Sequence, residues 1–102
     1  MQHINQLLKD KWIEALRSGE YEQSRGGLHE EDGHCVLGVL DMVNNKITGR
    51  PLEPKQALRH RRSIFTLCET ISGMPAGLLI KMNDTTRLTF PQIADKLEAT
   101  NV

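Results

Sequence analysis

Apolar residues fall on helical stripes at both ends of this chain. Near the start, Ile4, Leu8, Trp12, Ala15 and Leu16 line one face of a helix over about residues 5–18, with Leu7 and Ile13 widening the band. Asn5 stands where an N-cap belongs, and Gly19 where a helix stops. Burying Trp12 and Leu16 contributes roughly 1.5–3 kcal/mol each, so this helix reads as structural, covering one face of the hairpin expected next. Near the end, Thr89 followed by Gln92 forms a capping box, in which hydroxyl and amide satisfy each other's backbone donors. Phe90, Ile93, Ala94 and Leu97 then recur at helical spacing, and Leu88 is placed to pack on Ile93 as a staple. The tail from about Thr100 is expected to fray.

Between these helices the pattern is less regular. Residues 21–24 and 33–36 read as two short strands, separated by a polar loop that holds Gly26-Gly27 and Asp32-Gly33. Val36, Leu37, Leu40 and Val43 then return to helical spacing. Gly38 inside that run marks either a strand-to-helix junction, the preferred reading, or close approach of another backbone. The chain is expected to turn at Asn44-Asn45 and to form a proline-containing loop over residues 47–54, with Pro54 in the first turn of the next helix. Ala57, Leu58, Ile64, Phe65, Cys68 and Ile71 keep near-helical spacing across the basic stretch 59–62. One long helix or two helices fit, and a break near Arg62-Ser63 is favoured. Ser72-Gly73-Met74-Pro75 is a stop, followed by a short helix over 75–82 burying Leu78, Leu79 and Met82, and a polar turn at 83–86. These elements predict one α+β domain over residues 1–102: an N-terminal helix, a short two-stranded β element, and three to four further helices.

Composition narrows the function. A chain of 102 residues fits one domain. With 4% aromatic residues, its core must be mainly aliphatic around Trp12. Thirteen basic residues balance thirteen acidic ones, so a dedicated nucleic-acid binder is not expected, although a local patch is compatible. Residues 1–11 are polar and unlike a secretory leader, and no apolar run approaches the ~20 residues of a membrane span. No membrane association is therefore expected. Cys35 and Cys68 read as reduced, buried thiols.

Three stretches carry candidate chemistry. Residues 29–35, HEEDGHC, hold two imidazoles and a thiol suited to zinc, but their spacing matches no metal motif, and a solvated loop tip is the plainer reading. His34 beside Cys35 suggests an activated thiol. Neighbours on a strand point to opposite faces, however, so His34 is poorly placed to take the proton. Neither a catalytic set, a metal site nor a cofactor is expected. Arg59, His60, Arg61 and Arg62 form the main basic cluster. A solvated helix face is its plainer reading; as a site it would meet phosphates or an acidic protein surface, using arginine's planar bidentate contacts. The 88–97 segment resembles the first helix of a helix-turn-helix, but too little chain follows for a recognition helix.

Three blocks together resemble a group of small bacteriophage and prophage proteins: KWIEALRSGEYEQ (11–23), GHCVLGVLD (33–41), and MND (82–84) with the 88–97 segment. The pattern is W-x-E-A-L-R-S-G-x-Y-x-Q, then a Cys-containing L-G-V-L block, then N-D and F-x-x-I-A-D. His34 stands where an aromatic or Cys is usual, and Asp41-Met42 where Cys-Asp is usual, so a second thiol beside Cys35 is absent. The resemblance implies phage origin and action in the host cytoplasm. The expected function is a non-enzymatic accessory protein that binds and modulates a host or host-defence component. The alternative is a small-ligand binder that sequesters a nucleotide-type signal through Arg59–Arg62.

Overall fold

The computed structural model describes residues 4–24, 29–30, 33–49 and 57–99, and their side chains except those of residues 4, 29–30, 48 and 57–62. Among the described residues five helices dominate: α1 (Ile4–Ser18), α2 (Val36–Thr48), α3 (Ala57–Ser72), α4 (Ala76–Asp84) and α5 (Phe90–Ala99). Between α1 and α2 lie two strands of two residues each, β1 (His29–Glu30) and β2 (Gly33–His34), paired antiparallel with His29 opposite His34 and Glu30 opposite Gly33. The chain is therefore mainly helical, which corrects the α+β expectation. Segment 21–24 joins this pair by a parallel bridge from Gln23 to His34 rather than as a strand of its own. Its bonds run from His34 N to Glu22 O and from Ser24 N to His34 O, each 2.8 Å. The physical reason is size. Strands of two residues present no apolar face, and a small hairpin is marginal without one.

The core forms between helices instead. α1 packs on α2, α5 and α3 rather than on the hairpin. Trp12, with no exposed surface, sits in this core, and its indole Nε1 donates to Val36 O at 3.0 Å, joining the middle of α1 to the first residue of α2. Leu16, Leu37, Leu40, Leu79, Ile93 and Leu97 pack in the same buried cluster.

The local boundaries explain several departures from the sequence reading. Asn5 lies inside α1, one residue past its start, while Gly19 ends it with φ +79° as expected. α2 begins at Val36, with Cys35 as N-cap, so Gly38 lies within the helix and the junction falls three residues earlier. The helix also runs through Asn44-Asn45, because Val43 is drawn into the core and the left-handed conformation that ends a helix waits for Gly49 at φ +72°. Gly49 N donates to Asn45 O at 2.7 Å. α3 continues past Arg62-Ser63 without a break, and Ile64, Cys68 and Ile71 form one buried stripe. α4 buries Ala76, Leu79, Met82 and Asn83, which leaves Leu78 about 100° off the buried face and 45% exposed, not buried. The capping box is present: Thr89 N donates to Gln92 Oε1 at 2.9 Å, and Gln92 N to Thr89 Oγ1 at 3.4 Å. The expected loop over 47–54 and Pro54 fall largely or wholly outside the described residues.

Gly33 is needed for close approach. A Cβ there would lie 2.2 Å from Glu22 O, an oxygen already bonded to His34 N. Gly33→Ala is expected to cost about 1–3 kcal/mol through forced backbone displacement. The effect should appear as a lower thermal midpoint and faster amide exchange at Ser24 and His34.

Candidate functional site

Two amides of the 11–23 and 82–84 stretches, Gln23 and Asn83, are turned inward, while Lys11, Glu14, Ser18 and Glu20 stay exposed. Gln23 enters the α4–α5 corner, where its Nε2 donates to Asn83 Oδ1 at 2.9 Å and to Leu88 O at 2.8 Å. Its Oε1 accepts from Phe90 N at 3.1 Å, the first residue of α5. Asn83, fully buried, donates through Nδ2 to Ser24 O at 2.9 Å and to Asp84 Oδ1 at 2.6 Å. Two amides thus hold the 21–24 segment against a helix junction some sixty residues away in sequence. Arg17, more than a third exposed, reaches Asp95 at 2.7 Å and also pairs with Glu98, clamping α1 to α5. Hydrogen bonds to Glu98 and then Asp95 raise its pKa further, so the guanidinium stays charged.

Both thiols are buried and free. Burial raises the pKa of Cys35 and pushes that of Cys68 up to about 12, in each case by disfavouring the thiolate. Neither is therefore poised as a nucleophile near neutral pH. The sign for stability follows. The folded chain holds the Cys68 proton above the pH at which the unfolded chain loses it, so stability falls as pH rises from about 9 toward 12. Cys68→Ala is expected to flatten that alkaline decline, measured as urea midpoints across this range against wild type. His34 is half-buried, with its ring edge-on to Tyr21 at 5.7 Å. Among the described residues no group of three His, Cys, Asp or Glu side chains could hold a metal. The side chains of residues 29–32 lie outside that description.

The backbone of Arg59, His60, Arg61 and Arg62 belongs to the first turns of α3, while their side chains lie outside the described residues. Successive helical positions are about 100° apart, so the four are distributed around α3, with 59 and 62 on a shared face.

Two surfaces were not visible in the sequence. α3 and α4 meet at 98° across a three-residue connection, the shape of a helix-turn-helix. The start of α4 is occupied by Glu69, whose Oε1 accepts from Ala76 N at 3.4 Å, and its exposed positions are Gly77, Leu78 and Lys81. That face offers a phosphate backbone one ammonium beside one carboxylate, where such binding draws on several cations. The second surface is a pair of adjoining hollows on the two sides of the exposed C-terminal half of α1, together the α1 trench. Toward α5, an open hollow is lined by Asp10, Ile13, Glu14, Arg17, Ser18 and Glu98. Toward α2, a smaller groove of about 300 Å³ shares Glu14 and Ser18 and adds Lys11, Ala15, Glu20, Tyr21, Val43, Lys46 and Ile47. Lys46 Nζ stands 5.4 Å from the Tyr21 ring centroid, and Ile47 is 37% exposed. No motif announces this trench, because three separate elements build it.

Fold and surface together define a small, mainly helical domain in which Trp12, Gln23 and Asn83 tie the elements together. The chain matches the family described as Domain of unknown function (DUF8296) over residues 4–78, and it belongs to that family. No curated protein and no solved structure matches the chain.

Proposed function

We propose that this protein is a non-enzymatic accessory protein of phage origin that binds and modulates a host or host-defence component in the host cytoplasm. One observation carries the reading. Several polar and thiol groups of its phage-like motifs, Arg17, Gln23, Cys35, Asn83 and Asp95, are engaged in ties between elements or buried, while Lys11, Glu14, Ser18 and Glu20 of the 11–23 block stay exposed. Recognition is then left to the exterior, where the α1 trench combines an apolar floor with charged rims. Tagged protein, cross-linked in host lysate and analysed by mass spectrometry, should enrich the same host protein reproducibly. Failure to enrich any partner under several conditions would overturn the proposal.

A second reading keeps the cluster at Arg59, His60, Arg61 and Arg62 as a site for an anionic small ligand. It is favoured by the position of these residues in the opening turns of α3, whose first turn holds no acid and whose dipole attracts negative charge. A nucleotide ligand should raise the melting temperature with the logarithm of its concentration, and a flat response across a nucleotide set would end this alternative.

A further inference from the structure

The α1 trench has a polarity that specifies what fits it. Its α5 end carries Asp10, which accepts from Gln6 Nε2 at 2.8 Å, with Glu14 and Glu98, against a single guanidinium, Arg17, which Glu98 and Asp95 already hold. Glu14 is well exposed, and its pairing with Lys11 is a loose 3.6 Å surface contact, so its charge is available to a partner. The α2 end is different. Ala15, Val43 and Ile47 provide an aliphatic floor with Tyr21 as one wall, and the charges on its rim, Lys11 and Lys46 against Glu14 and Glu20, balance. Ile47 is one of two large hydrophobic side chains more than a third exposed among the described residues. The other, Leu78, lies on α4 and lines neither hollow.

We propose that this trench receives a short protein segment of a partner, with an aliphatic side chain anchored against Val43 and Ile47 and a basic side chain reaching Asp10 and Glu14. The inference rests on the protein-binding reading and specifies its face and partner chemistry. Complementary charge argues for the basic end. Acidic groups at one end steer and orient a cationic segment, while burial of an aliphatic anchor at the other supplies affinity. An acidic segment would meet net negative charge at the α5 end, and a uniformly polar one would lack the anchor.

The test uses two synthetic amphipathic peptides, one of leucine and lysine and one with glutamate in place of lysine, titrated into isotope-labelled full-length protein. The leucine–lysine peptide should shift the amides of Glu14, Ser18, Tyr21, Lys46 and Ile47, with affinity falling as salt is added. Ile47→Asp and Glu14→Lys should each weaken it about tenfold. Leu78→Asp should leave it unchanged, and thermal melts establish that each variant is folded. Equal binding of the glutamate peptide, shifts centred elsewhere, or self-association through the trench without peptide would overturn the proposal. The host-lysate capture repeated with Ile47→Asp separates the two claims. Undiminished capture removes the trench and leaves protein binding standing, whereas no capture by wild type removes the broader reading even if the peptide binds.

Discussion

Trp12→Ala is expected to leave little folded protein at physiological temperature. Removing a fully buried aromatic ring costs about 3–5 kcal/mol, against a total stability of roughly 5–15 kcal/mol for a small domain. The ring lies in the core formed where α1 meets α2 and α5, so its loss opens a void in the main helix interface. Trp12→Phe separates volume from hydrogen bonding. It retains most of the apolar contact but abandons the bond to Val36 O, and should cost about 1–2 kcal/mol. Urea midpoints followed by far-ultraviolet circular dichroism would order the three proteins as wild type, Trp12→Phe and Trp12→Ala. A Trp12→Ala midpoint close to wild type would show that the α1–α2 interface draws its stability from elsewhere.

The second large effect is expected at the paired amides. Gln23→Ala withdraws a partner from Asn83 Oδ1, Leu88 O and Phe90 N together. A buried polar group left without a partner costs about 1–3 kcal/mol, and with partial access to water the sum should reach about 2–4 kcal/mol. Asn83→Ala should cost a similar amount, and the double variant less than the two combined, since both remove the same bond. Gln23→Glu adds a sharper check. At neutral pH its carboxylate would face two acceptor oxygens, so the variant should be less stable than Gln23→Ala. Its folded-state pKa is then raised, and stability should recover as pH falls below about 5, where the protonated acid can donate. Additive single losses in the cycle would show that the two side chains act independently.

These two sites also mark what the sequence could disclose. The Thr89–Gln92 box is legible because both bonds lie within one helical turn, and α1 is legible because its stripe repeats over four turns. Trp12 stands out as the single tryptophan, but its partner Val36 depends on how two helices meet. Nothing in the residues around Gln23 indicates a bond to Asn83, so the pair was open to view only as separate motif letters. The strand pair was overestimated, since turn-forming glycines near Gly33 signal a reversal without revealing how few residues pair beyond it. Asn44-Asn45 was read as a turn and Arg62-Ser63 as a break because the apolar spacing is interrupted there, and packing of Val43, Ile64 and Cys68 carries both helices through. The α1 trench has no local signal at all. Glu14, Tyr21 and Ile47 become neighbours only after α1, the following turn and the end of α2 have assembled.

The clamp from Arg17 to Asp95 joins residues 78 positions apart, between the first helix and the last. During synthesis the nascent chain would emerge from the ribosome with the apolar stripe of α1 lacking α5. Completion of the fold must therefore wait until residues 90–99 have cleared the exit tunnel, and stalled or prematurely terminated products would be readily removed by proteolysis.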